Sequence, residues 1–225
     1  MKEGENMKKV AVVLSGSGVY DGAEIQESVL TLLALDRRGA EVEIFAPDKA
    51  QAHVINHLTG EEMPESRNVL VESARIARGA VRDLKFARAV DFDAIVFPGG
   101  FGAAKNLSTF AFEGVNCSVD AEVERLVTEG LKQKKALGFI CIAPAILAKV
   151  AGGLDLHPQL TIGTDEETAG ALESAGAVHV ACPTREYIVD AKYRIVSTPA
   201  YMTGQSISEV AEGIERMIEA LYELC

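Results

Sequence analysis

Three observations predict an α/β fold built on a parallel, doubly wound sheet. Short apolar runs that read as buried strands alternate with segments of helical period, and glycine turns close several of those runs. The opening unit runs strand, helix, strand, which packs back onto its own sheet almost only through a right-handed crossover. At 225 residues and 24.0 kDa the chain has the size of one domain with a substantial core, and it is read as a single domain over 1–225.

The elements follow in order. Residues 1–7 are polar and are predicted to be flexible. "KKVAVVLS" (8–15) is a buried strand feeding the turn "GSG". From Glu24 to Arg38 the apolar Ile25, Val29, Leu32 and Leu33 recur at helical spacing, and Gly39 supplies the stop. "EVEIFAP" (41–47) returns to strand. The stretch 48–90 is less regular: "HVINHLTGEEMPESR" is rich in turn formers and "VLVESARIARG" reads as one helix, so this part is predicted to be an excursion from the sheet. "DFDAIVFPGG" (91–100) is the next strand with its glycine turn, followed by helix "SVDAEVERLVTEGLKQKK", strand "ALGFIC" and helix "APAILAKVAG". Beyond these come "QLTIGT", a helix over "DEETAGALESAG", short strands "AVHV", "EYIVD" and "YRIVST", and a closing amphipathic helix. Its stripe is Ile207, Val210, Ala211, Ile214, Ile218 and Leu221.

Composition narrows the partners. A net charge of −11 opposes wrapping a polyanion, since each phosphate contact needs a Lys or Arg that carboxylates here balance, so no nucleic-acid partner is expected. No stretch reaches the roughly 18 apolar residues of a membrane span, and no membrane partner is expected. The four cysteines, Cys117, Cys141, Cys182 and Cys225, are widely spaced with no C-x-x-C pair, which fits a reducing compartment. A cytoplasmic address is expected. His53 and His57 stand four apart, but "HVINH" lacks the glutamate of a zinc-protease helix and has no evident third ligand. Neither a metal nor a cofactor is expected, and an apolar face on the excursion or the closing helix makes a homodimer possible.

Ligands of a doubly wound sheet sit at the carboxyl edge of its strands. Three turns converge there: "SGSGVYDGAE", "PGGFGAAKN" and "ICIAPA". The first also resembles a dinucleotide turn, with Gly16, Gly18, Gly22 and a downstream Asp48, but its spacing departs from that fingerprint and carboxylates crowd the helix start. Free cysteine is usually buried and inert. At a sharp strand-to-helix bend, however, a side chain stands above the sheet at a helix N-terminus, whose dipole and free amides favour a thiolate. Cys141 is therefore read as a reactive nucleophile. The amides of Gly100 and of Ile142 are read as an oxyanion pair. Of the carboxylates on the first turn, Asp21, Glu24 and Glu27, the acid–base partner is placed at Glu27 with Glu24 in reserve: a carboxyl tucked under a neighbouring helix can be held protonated by desolvation. His179 is retained as a possible orienting group for Cys141, while His157 is read as structural.

On "VYDGAEIQES", "PGGFGAAKN" and "FICIAPA" the chain resembles the ElbB-type enhancing-lycopene-biosynthesis family, within the superfamily of class I glutamine amidotransferase-like, PfpI-like and glyoxalase III-like proteins. The resemblance spans about residues 8–222. It implies a flavodoxin-like three-layer sandwich, a mostly parallel sheet with helices on both faces, with Cys141 as nucleophile, Glu27 as the buried glutamate and Gly100 in the oxyanion turn. It also implies a cofactor-free glyoxalase that turns glyoxal into glycolate, with a small dicarbonyl as substrate. The departures are specific. No His-x-Glu pair follows Cys141, Ile142 stands where the proteases carry histidine, and Gly163 stands where glyoxalase III-like members often carry another. Glutamine hydrolysis and peptide cleavage are not expected. The alternative reading is a redox-sensing or binding protein with an oxidisable Cys141.

Overall fold

The computed structural model describes residues 7–225, so the flexible segment expected over 1–7 lies, apart from Met7, outside the described residues. β1 (Lys9–Val13) and β2 (Glu41–Ala46) flank α1 (Ile25–Arg37), and α2 (Val69–Ile76) leads to β3 (Arg82–Asp83). The chain then returns through β4 (Ala94–Phe97), α3 (Phe101–Lys105), α4 (Phe110–Glu113), α5 (Ala121–Lys132), β5 (Ala136–Ile140) and α6 (Pro144–Gly153). It closes with β6 (Gln159–Leu160), α7 (Glu166–Ser174), β7 (Val178–His179), β8 (Ile188–Asp190), β9 (Ile195–Thr198) and α8 (Ile207–Glu223).

The sheet order is β3-β2-β1-β4-β5-β9-β8, parallel throughout except for β8 against β9, and β6 pairs with β7 in a separate two-stranded sheet. The central strands read as continuous apolar runs because both faces are covered. On one face Val10, Val12, Leu14, Val96 and Ile140 pack against Leu35 of α1 and Val210, Ile214, Met217, Ile218 and Leu221 of α8. On the other, Ala11, Val13, Ile95, Phe97 and Phe139 pack against Val123, Leu126 and Val127 of α5 and Ile146 and Leu147 of α6. Phe97 and Phe139 stack at 5.1 Å between ring centroids, which ties β4 to β5 just below the turns that carry the site. This is the flavodoxin-like three-layer arrangement. From β1 the chain moves first to β2 on one side and later to β4 on the other, so a crevice opens where β1 and β4 end.

Three local readings change. Residues 48–90 are not wholly an excursion, because Arg82 and Asp83 pair with Phe45 and Ala46 and add β3 to the sheet edge. The stripe of α8 is consumed by the core at Val210, Ile214, Ile218 and Leu221, and Ile207 at its start stays exposed. On α1 the faces are inverted: Ile25, Val29 and Leu33 are 46%, 48% and 40% exposed, whereas Glu27, Ser28, Thr31, Ala34 and Leu35 turn inward.

Candidate active site

The bend after β5 is tight. Cys141 takes a φ of +61°, a left-handed conformation that costs a non-glycine residue roughly 1–2 kcal/mol. It is held by Cys141 N–H donating to Thr198 O of β9 at 3.0 Å and Ala143 N–H donating to Ile140 O at 3.0 Å. The strand thus ends with its side chain lifted into the crevice, and Pro144 at the first turn of α6 fits because that position needs no amide.

Glu27 enters from α1 and is fully buried. Glu24 caps the helix, its Oε2 accepting from Glu27 N–H at 2.6 Å, which fixes the rotation that turns Glu27 inward. Gly99 N–H donates to Glu27 Oε2 at 3.0 Å and Tyr201 N–H to Oε1 at 3.1 Å, so both carboxyl oxygens are pinned by backbone. The carboxyl and the Cys141 thiol are neighbours, and each acts on the ionisation of the other. Gly99 is obligatory for this approach: a Cβ there would stand 2.4 Å from Cys141 Cβ and 2.6 Å from Glu27 Oε2. Gly100, at φ +94°, would place a Cβ 2.3 Å from Glu24 N, so the oxyanion turn also requires glycine. The Gly100 and Ile142 amides lie near enough to the sulfur to favour its ionised form, against the larger effects of burial and of Glu27. The structure therefore brings together Cys141, Glu27, Gly100 and Ile142, with Glu24 as the helix cap behind them.

The ionisation expected at Cys141 is not what the environment favours. Its side chain is 7% exposed, and burial, followed by the charge of Glu27, pushes the thiol well up. The helix start gives less help than its position suggests. Ala143 and Ala145 amides are committed to Ile140 O and Ile142 O, and Pro144 has none. Burial likewise pushes the Glu27 carboxyl up to about 8, with the neighbouring Glu24 charge adding to the rise. At neutral pH the pair is thus predominantly neutral, and the acid rather than the thiol is the group that titrates near working pH.

His179 is not brought to Cys141. It lies on β7 with Nε2 accepting from Ile162 N–H at 3.4 Å, and desolvation lowers its pKa. His57 bridges the excursion to the first turn instead: Nε2 accepts from Tyr20 N–H at 3.2 Å. Asn106 was not singled out by sequence. Buried at the end of α3, it donates from Nδ2 to Ser15 O at 2.9 Å and Asp21 O at 2.8 Å and accepts from Ala52 N–H at 2.9 Å, clamping the first turn to the second. Among the described residues no group of three or more His, Cys, Asp or Glu side chains forms a metal site. The larger surface hollow, about 580 Å³ and lined by Lys9, Phe45, Arg82 and Phe92 among others, lies at the β1–β2–β3 margin away from Cys141.

No protein-family model matches the chain. It is 48% identical over 226 residues to the mitochondrial ES1 protein homolog of Rattus norvegicus, covering 96% of this chain and 84% of that protein. It is 47% identical over 226 residues to the mitochondrial glutamine amidotransferase-like class 1 domain-containing protein 3 of Homo sapiens, covering 96% and 83%. Among solved structures, an isoprenoid biosynthesis protein with an amidotransferase-like domain from Ehrlichia chaffeensis superposes with a TM-score of 0.90 at 40% identity, covering 96% of this chain and 99% of that one. Both named relatives are mitochondrial proteins, which overturns the cytoplasmic address expected from cysteine usage.

Proposed function

The chain belongs to the ES1 family of glutamine amidotransferase-like class 1 proteins, and on that premise we propose that it is a cofactor-independent glyoxalase, converting glyoxal or methylglyoxal and water to a 2-hydroxy acid. The observation that carries this reading is the buried Cys141–Glu27 pair, with a carboxyl that titrates at about 8 beside the thiol. A thiol and a proton carrier in contact are what an internal redox rearrangement of a dicarbonyl needs. No histidine hydrogen-bonds Cys141 among the described residues, which leaves glutamine hydrolysis and peptide cleavage without their usual base.

The reactive state holds one proton between Cys141 and Glu27. The sulfur adds to the aldehyde carbon, and the shared proton passes to the oxygen, giving a hemithioacetal and a Glu27 carboxylate. The carboxylate then removes the proton from that carbon and returns it to the adjacent former carbonyl carbon through an enediol, while the hydroxyl proton of the first oxygen passes to the second. The first carbon is thereby oxidised to a thioester while the second is reduced to an alcohol, and no external oxidant enters. Water cleaves the carbon–sulfur bond, releasing the 2-hydroxy acid and the thiol. The Gly100 and Ile142 amides, already near the sulfur, would donate to the oxygen of the carbon it attacks.

Because the one-proton state forms as Glu27 loses its proton, glycolate production from glyoxal, assayed with a chelator and without added thiol, should rise as pH rises through about 8. A profile that is flat between about pH 6 and about pH 9, or no glycolate at all, would contradict the reading.

A further inference from the structure

The rim of the crevice beside the oxyanion turn has a chemistry the mechanism leaves unused. Phe101 follows Gly100 directly and is 46% exposed, and its amide donates to Val19 O at 2.8 Å, which joins the second turn to the first. One helical turn later Lys105 folds back over it: Nζ stands 5.1 Å from the Phe101 ring centroid and donates to Tyr20 O at 2.9 Å. Tyr20, 42% exposed, packs its ring on His57 at 4.9 Å. Two aromatic surfaces and one ammonium therefore lie together on the first and second turns, next in sequence to Gly100.

Lys49, on the neighbouring margin, pairs with Asp120 at 2.9 Å, but among the described residues Lys105 makes no ion pair; Asp21 and Glu62 act on it only at a distance. Asp21 Oδ2 is engaged by Ile55 N–H at 2.7 Å. The chain carries a net charge of −11, and Lys105 is half-buried on the turn that follows Gly100. Desolvation, the first influence on it, lowers its pKa, the cost that a bound anion would offset.

We propose that Lys105, over the Phe101 ring and bonded to the Tyr20 carbonyl, is an anion subsite of the Cys141 crevice, and that the preferred substrate is a 2-oxoaldehyde carrying a carboxylate on a short aliphatic tail. The substrate class rests on the glyoxalase reading; the subsite does not. The reaction is R–CO–CHO plus water giving R–CH(OH)–COO⁻ and a proton, with the carboxylate of R held by Lys105 and taking no part in bond making. Lys105 is here a specificity residue.

Two readouts separate the subsite from the activity. The first is alkylation of Cys141 by anionic iodoacetate against neutral iodoacetamide. In Lys105→Gln the iodoacetate rate should fall about fivefold relative to iodoacetamide, and Lys105→Arg should preserve the wild-type ratio. Equal slowing with both reagents would mean that Lys105 merely braces the Tyr20 carbonyl, and an unchanged ratio would remove the subsite; either overturns the proposal. The second is turnover. 4,5-Dioxopentanoate should exceed methylglyoxal in kcat/KM by about tenfold, an advantage lost in Lys105→Gln through KM while methylglyoxal is unaffected. No advantage for the anionic compound overturns the substrate class. If neither compound is turned over but the alkylation ratio shifts as expected, the glyoxalase reading fails and the anion subsite is supported.

Discussion

Replacing Cys141 by alanine is expected to lower glycolate formation by at least ~10³-fold, because the nucleophile and the thioester route disappear together and the remaining groups can only polarise the substrate. The fold should survive. The substitution removes one sulfur from a site already closed to solvent and leaves the backbone bend at φ +61° as it was, held by Thr198 O. Two amides, Gly100 and Ile142, lose the sulfur beside them, which costs on the order of 1–2 kcal/mol where water cannot reach them. Urea denaturation beside the activity assay separates the two effects: inactivity with a near-normal unfolding midpoint is the expected combination, and undiminished turnover would end the proposal.

Glu27→Gln should move activity and pH-dependent stability in opposite directions. Turnover should fall by roughly 10²- to 10⁴-fold, the worth of a positioned acid–base group. The carboxyl of the folded chain titrates at about 8 against an ordinary value of 4.5, so between those pH values the folded state binds more protons than the unfolded state. Wild-type stability therefore decreases as pH rises from about 4.5 to about 8, by as much as ~5 kcal/mol. Glutamine carries no proton to lose, and that slope should vanish in the variant. At the acid end the variant is expected to be the less stable: its single carbonyl can satisfy only one of the Gly99 and Tyr201 amides, leaving an unpaired donor worth about 1–3 kcal/mol. Unfolding curves that cross on raising the pH are the expected signature, and parallel curves would place an ordinary carboxylate at position 27.

The meeting of Cys141, Glu27 and Gly100 in one crevice was legible because each sits where a short apolar run meets a glycine or a helix start, and chain order alone puts those turns on one sheet edge. What could not be read was the charge on the pair. It depends on Tyr201, 174 residues from Glu27, whose amide holds Oε1 and whose hydroxyl hydrogen-bonds Gln26 to close over α1. It depends also on the spending of the α6 amides within their own turn. The inward face of α1 was misread for a related reason. Apolar spacing marked Ile25, Val29 and Leu33, yet the buried side carries Ser28 and Thr31, whose hydroxyls donate to Glu24 O and Glu27 O at 2.7 Å each. A helix that serves a site can bury polar groups bonded to its own backbone, which hydrophobic periodicity does not detect. Asn106 escaped notice because a polar residue after a five-residue helix reads as loop, and only the third dimension shows three backbone partners around it.

The central claim is that a carboxylic acid stays protonated at neutral pH in contact with Cys141. Infrared difference spectra between wild type and Glu27→Gln across the pH range observe that acid directly. A protonated carboxyl band present at pH 7 and lost as pH rises through about 8 is the predicted result. A band already gone by about pH 5, showing Glu27 ionised like a carboxylate in water, would contradict the account.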